Sequence, residues 1–216
     1  MTQEAKDLQL KTGTTTICIM CKDGVVLAAD RRASGGGMVL HKRAQKIQPV
    51  TDLIAVTTAG NVSDIQLMVK LTKAEIKLKD VQVYRSSTVR EAASLVAGML
   101  YSTFRRPSMI LSIASLMMGG KDKEGYHGWE LSPDGSMMEI RDYAADGSGM
   151  VFALGVLETL YKKNLSVEEG VKLAVKAVNA ALQRDTATGN GIDVVTITDK
   201  GMQTVMEKEL EIRLEA

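Results

Sequence analysis

Aromatic residues are scarce in this chain, with two phenylalanines, one tryptophan and five tyrosines among 216 residues. Packing therefore falls to Val, Leu, Ile, Ala and thirteen methionines, whose flexible thioethers fill irregular gaps in a core. Cysteine is limited to Cys18 and Cys21, with His41 and His127 far away in sequence, so neither a disulfide framework nor a paired-cysteine zinc site is encoded. Their C-x-x-C spacing falls in TTTICIMC, which reads as a strand, whereas a redox C-x-x-C opens a helix. An offset of three on a strand sends two side chains to opposite faces, so both are expected to be buried structural thiols.

Charge of one sign is also lacking. The net charge is +1, and Arg31-Arg32 and Arg105-Arg106 are isolated pairs, read as solvated turns or subunit contacts. Without a basic stripe, general nucleic-acid binding is not expected. The longest strongly apolar run, Met109 to Met118, is too short to span a bilayer as a helix. The opening MTQEAKDLQLKTG has no apolar core of the kind a secretory signal needs. A soluble cytoplasmic protein with one substantial core is the expectation.

What is present begins at Thr14, after a polar and poorly patterned stretch over 1–13 that reads as an appendage. Two β-rich runs, 14–21 and 25–30, flank Lys22-Asp23-Gly24 and form a hairpin signal. Gly35-Gly36-Gly37 reads as a loop or tight turn, and lacks the lysine and strand–helix setting of a phosphate-binding loop. Short strands near 39–41 and 45–49 and a buried one over 53–59 lead to Gly60. A helix starting near Ser63 carries Ile65, Met68, Leu71 and Ile76, and a second over 88–104 opens with a Thr88/Glu91 capping box. A strand over 109–118 follows, then a hairpin of 126–131 and 137–143 around Pro133-Asp134-Gly135. Helices near 151–162 and from Ser166 precede strands near 192–198 and 202–206 and a polar tail. Strands and paired helices come in blocks dominated by hairpins, which disfavours a doubly wound fold. An α+β arrangement of two antiparallel sheets between helical layers would bury every apolar face.

A threonine triplet after a glycine is by itself an ordinary strand start. The sequence, however, resembles the proteasome beta-subunit family, of the archaeal type, across essentially its whole length. The resemblance rests on TGTTT at 12–16, GVVLAADRRAS at 24–34, KRAQKI at 42–47, TTAG at 57–60, GSG at 147–149, GVLETLY at 155–161 and RDTATGNGIDVVTIT at 184–198. It implies the four-layer αββα sandwich of an N-terminal-nucleophile hydrolase. It further implies that residues 1–13 are a propeptide removed by self-cleavage between Gly13 and Thr14, leaving a single peptidase domain over 14–216.

On that resemblance Thr14 is the nucleophile, and its freed α-amine is the base. An α-amine titrates at about 7.7–8.0, close enough to working pH to accept the hydroxyl proton. Lys46 would favour deprotonation of the threonine by its charge, and Asp30 would pair with and orient Lys46. Gly60 would offer its backbone N–H to the oxyanion. Ser148, Asp185 and Thr188 would form the hydrogen-bond network around the amine. Thr188 departs from the serine of many members, keeping the hydroxyl and adding a methyl.

Ala33, Ala44, Thr58 and Val62 correspond to the substrate side-chain pocket. Their character suits cleavage after hydrophobic residues, although Thr58 replaces a larger apolar residue and could polarise the pocket. No metal or organic cofactor is implied. The partners implied are proteasome alpha subunits, further beta subunits in heptameric rings, unfolded polypeptide substrates and, indirectly, an ATP-driven unfoldase, with no nucleic acid and no membrane. Two alternatives stay open: another N-terminal-nucleophile amidohydrolase, and a catalytically silent beta-ring subunit.

Overall fold

The computed structural model describes residues 13–35, 37–107 and 113–210. Residues 1–12 of the propeptide expected over 1–13, Gly36, residues 109–112 of the expected strand and residues 211–216 of the tail lie outside the described residues. The first half of the chain runs through β1 (Thr16–Cys21), β2 (Gly24–Asp30), β3 (Ala33–Gly35), β4 (Met38–His41), β5 (Ile47–Pro49) and β6 (Ile54–Gly60). Helices α1 (Val62–Val83) and α2 (Val89–Phe104) follow, then β7 (Ala114–Asp122), β8 (Gly125–Leu131), β9 (Met137–Glu139) and β10 (Tyr143–Asp146). The chain continues with α3 (Met150–Leu160), α4 (Val167–Arg184), β11 (Gly191–Thr198) and β12 (Gly201–Glu209).

The strands form two five-stranded antiparallel sheets, ordered β10-β1-β2-β11-β12 and β5-β6-β7-β8-β9, with β3 and β4 as a separate hairpin. Alternation along β1 and β2 divides their side chains between two cores. Ile17, Ile19, Cys21, Val26 and Ala28 pack beneath α3 and α4 with Leu157, Leu173, Ala174 and Val178. Cys18, Val25 and Leu27 point the other way, meeting Ala55 and Met117 of the second sheet. The opposite face of that sheet, with Val56, Leu116 and Met118, packs under α1 and α2 through Met68, Ile76, Val96 and Leu100. The α+β expectation of a four-layer αββα sandwich therefore holds. The cysteines are free and lie in different cores, as the offset of three requires. Burial, helped by Asp23 and Glu169, pushes the Cys21 thiol up to about 12, and burial raises the Cys18 thiol as well.

Both longer helices expected to carry capping boxes have them, Thr88 with Glu91 and Ser166 with Glu169. Helix α1 begins at Val62, one residue before the expected start at Ser63, and Asn61 is its cap, accepting the Ser63 N–H on its side chain. It also runs on to Val83, and because its last turns expose Leu78, Val81 and Val83, no buried apolar stripe marks them in the sequence.

The expected strand 137–143 is two strands. β9 pairs with β8, then Ile140 drops between the sheets and the chain crosses to β10 beside β1. Of the expected strand 109–118, the described part is β7 from Ala114, which pairs with β6 and runs past the expected end through Gly119-Gly120 to Asp122. The glycine run begins inside a strand: Gly35 pairs with Met38.

Candidate active site

Thr14 sits where the chain enters β1, at the edge of the space between the sheets. Its hydroxyl donates to the carbonyl oxygen of Gly13 at 2.7 Å, and Lys46 Nζ lies 3.5 Å from the same oxygen. The Gly13 carbonyl oxygen thus has the Thr14 hydroxyl and the Lys46 ammonium group beside it. A hydroxyl and a carbonyl held this close can enter an intramolecular acyl shift from nitrogen to oxygen once Oγ1 turns from the carbonyl oxygen to the carbonyl carbon. Ser34 Oγ accepts the Gly13 N–H at 3.1 Å, which fixes the residue before the bond.

Asp30 ends β2 and is fully buried. Its Oδ1 accepts from Lys46 Nζ at 2.6 Å and from the Thr15 N–H at 2.9 Å. Its Oδ2 accepts from the N–H groups of Arg32 at 3.0 Å and Gly189 at 2.9 Å. Four donors compensate this carboxylate for the loss of water. Lys46 is itself 5% exposed, and burial pushes its ammonium pKa down while Asp30 pulls it back up.

A chain of hydroxyls serves the other side of Thr14. The Thr14 N–H donates to Ser148 Oγ at 3.2 Å, and Ser148 donates to Asp185 Oδ2 at 2.6 Å. Thr188 donates to the same carboxylate oxygen and, having spent its one hydrogen, accepts from Thr15 Oγ1 at 2.6 Å. Asp185 caps the end of α4 and Ser148 lies in the turn before α3, so two helices fix this network.

Thr14, Lys46, Gly60, Ala33, Ala44, Thr58 and Val62 all line one cavity of about 610 Å³, together with Gly13. Gly60 turns the chain out of β6 with φ of +115°, and an added Cβ would lie 2.1 Å from the Ile113 carbonyl oxygen. Only glycine satisfies both demands. Thr58 donates its hydroxyl to the Lys46 carbonyl oxygen at 3.2 Å, so its polar atom is engaged by backbone. Every residue expected at the site is therefore found in this cavity or in the bonds just described. Among the described residues no three His, Cys, Asp or Glu side chains are grouped to hold a metal ion.

Three contributors were not anticipated. Ser34 and Thr15 carry direct bonds to the site, and nothing in their local sequence sets them apart from ordinary strand residues. Arg32 reaches from the link between β2 and β3 to the loop after α4, donating to Asn190 Oδ1 and the Thr186 carbonyl, each at 2.8 Å. The pair Arg31-Arg32 is accordingly not a solvated turn. Arg31 is buried against Asp193 at 3.4 Å and Glu207 at 3.0 Å. The signal available was its position directly after Asp30, where alternate side chains must turn to opposite sides.

The αββα sandwich and this threonine-centred edge define an N-terminal-nucleophile hydrolase. A family model described as proteasome subunit matches residues 10–197. The chain is 44% identical to proteasome subunit beta 1 of Thermococcus kodakarensis, over 94% of this chain and 97% of the relative. It is 42% identical to proteasome subunit beta of Ferroglobus placidus, over 94% and 95%, and 41% identical to that of Methanopyrus kandleri, over 94% and 96%. The chain belongs to the proteasome subunit family, and its likeness to archaeal beta subunits makes it a threonine-type endopeptidase.

Proposed function

We propose that Thr14 is the nucleophile of this peptidase and that it is released by cleavage of its own Gly13–Thr14 bond. The observation that carries the proposal is the Gly13 carbonyl oxygen, approached by the Thr14 hydroxyl at 2.7 Å and by Lys46 Nζ at 3.5 Å. Attack of Oγ1 on the Gly13 carbonyl converts the amide to an ester and frees the Thr14 amine. Water then hydrolyses the ester, releasing 1–13 and leaving a threonine with both hydroxyl and α-amine.

In turnover the amine takes the hydroxyl proton as Oγ1 attacks a substrate carbonyl, and passes it to the leaving amine. Water, activated by the same amine, releases the acyl-enzyme. Asp30 holds Lys46 beside the nucleophile, the Gly60 N–H meets the oxyanion, and Ser148, Asp185 and Thr188 position the amine. Ala33, Ala44 and Val62, with the hydroxyl of Thr58 turned to backbone, favour an apolar side chain before the cut bond.

The family membership supports a chamber built from heptameric beta rings with alpha subunits, fed with unfolded polypeptide by an ATP-driven unfoldase in the cytoplasm. No helix among the described residues is long and apolar enough to cross a membrane. Intact mass of the chain before and after mixing with alpha subunits tests the reading. Appearance of a chain starting at Thr14, together with peptide hydrolysis, is expected. A persistent Gly13–Thr14 bond in an assembled particle would overturn it, as would continued cleavage in Thr14→Ala.

A further inference from the structure

The cavity beside Thr14 does not stop at the pocket for one side chain. Its wall continues along α1 from Val62 through Gln66 to Lys70, Lys73, Ala74 and Lys77. Spacings of three and four residues place Lys70, Lys73 and Lys77 on one helical face. At 1.5 Å per residue they stand roughly 12 to 22 Å from Val62 along the helix axis.

Among the described residues no carboxylate pairs with any of these three lysines. The acids of the same helix are occupied or turned away. Glu75 lines a different cavity with Lys79, Asp80 accepts from Ser87, and Asp64 lies in the first turn. Lys46, the other cation of the cavity, is neutralised by Asp30. Among the described residues the far end of the cleft therefore carries a positive field without a paired carboxylate, beside Gln66 and the apolar Ile65, Val69 and Ala74. A low-dielectric wall concentrates such a field on whatever lies in the cleft.

We propose that this lysine row selects substrate segments bearing acidic side chains N-terminal to the cut bond, while the pocket at Val62 takes an apolar residue. The proposal rests on the reading of Thr14 as nucleophile. The N-terminal side is assigned because Gly13, which precedes the bond in self-cleavage, lines this cavity and gives its N–H to Ser34 of the same wall, whereas Thr15, which follows Thr14, does not line it. An extended peptide advances about 3.3 Å per residue, so roughly four to seven residues span from the pocket to the row. Main-chain contacts would bind any sequence, and the row would bias which sequences are cut most often.

The test uses mature, assembled particles and two peptides that share one apolar residue before the cut. One carries Asp and Glu four to seven residues before the bond, and the other carries Asn and Gln. The kcat/KM ratio, acidic over neutral, is expected at roughly three to ten in low salt and near one above about 0.5 M salt, where the Debye length shrinks to a few ångströms. In the triple variant Lys70→Gln, Lys73→Gln, Lys77→Gln the ratio should fall to about one, and the corresponding triple arginine variant should keep it. A wild-type ratio of one, or a ratio insensitive to both salt and the glutamine variant, overturns the proposal. If the glutamine particle fails to assemble, the salt response and the arginine variant still decide. Particles that cut neither peptide overturn the reading of Thr14 as well.

Discussion

Lys46 Nζ lies 2.6 Å from Asp30 Oδ1, both groups are shut from solvent, and the same lysine is 3.5 Å from the carbonyl of the bond before Thr14. The scaffold thus spends a buried ion pair to place one positive charge at the edge between two sheets. Such a pair adds little net stability, but breaking one half leaves a buried uncompensated charge costing about 3–5 kcal/mol. Its position beside Gly13 is the reason it matters here.

Asp30→Asn keeps the volume and removes the charge that holds Lys46. Self-cleavage and peptide hydrolysis should each fall by at least about 100-fold, the lower range for loss of an acid–base contribution. Unfolding of the uncut chain should become easier by about 3 kcal/mol. Intact mass against time, peptide kcat and denaturant melts measure the three effects. An Asp30→Asn chain that matures at the wild-type rate would remove Lys46 from the proposed mechanism.

Gly13 has no room for a side chain. A Cβ there would lie 1.8 Å from Ala187 Cβ and 2.9 Å from Ala187 Cα. Gly13→Ala must therefore shift the scissile carbonyl away from Thr14 Oγ1, and maturation should slow by roughly 10-fold or more, since small misplacements of reacting groups are costly. Adding Ala187→Gly removes the worst contact and should restore part of the rate. Time-resolved mass of the single and double variants checks this, and an undiminished rate in Gly13→Ala would show the bond to be cut from another geometry.

Thr188 joins Thr15 to Asp185 through one hydroxyl. Thr188→Val is nearly isosteric but leaves the buried Thr15 hydroxyl without that partner, a loss of about 1–3 kcal/mol. Thr188→Ser keeps the hydroxyl and should retain stability and turnover near wild type. A serine variant as impaired as the valine one would assign the residue's importance to its methyl group. Melting curves and kcat for the pair separate these outcomes.

Much of this site is legible in the sequence, for identifiable reasons. Thr14, Asp30, Lys46 and Gly60 occur within family motifs, and β2 is an unbroken apolar run ending in an acid, so its last side chain had to enter a buried edge. The Thr88/Glu91 and Ser166/Glu169 boxes were local signals and formed as expected. Ser34 and Arg32 were not readable, because their partners Gly13 and Asn190 meet them only after the sheets close. The splitting of 137–143 had the same cause. Local β propensity favours one strand, whereas burial of Ile140 between the sheets forces the chain across from one to the other.

Glu130 offers a test of that inter-sheet edge that leaves the catalytic groups alone. It is paired with Met117 across β7 and β8, and its carboxyl is raised above the usual range, first by partial burial and then by Asp146. Asp146 in turn accepts from Ser115 Oγ and from the Gly147 N–H at 2.7 Å. A carboxyl whose pKa is higher folded than unfolded holds its proton more tightly in the native state. Stability therefore declines as pH climbs from the unfolded value of about 4.3 through the raised native value, and the penalty is fully present above the latter. Glu130→Gln carries no such penalty. The variant should match wild type near pH 4 and be more stable at pH 7–8, by at most about 1 kcal/mol because the group is only partly buried, or roughly 2–4 °C in Tm. Thermal unfolding of the uncut chain across this pH range gives the comparison. A Glu130→Gln variant less stable than wild type at pH 8 would mean that the ionised carboxylate has a favourable partner there.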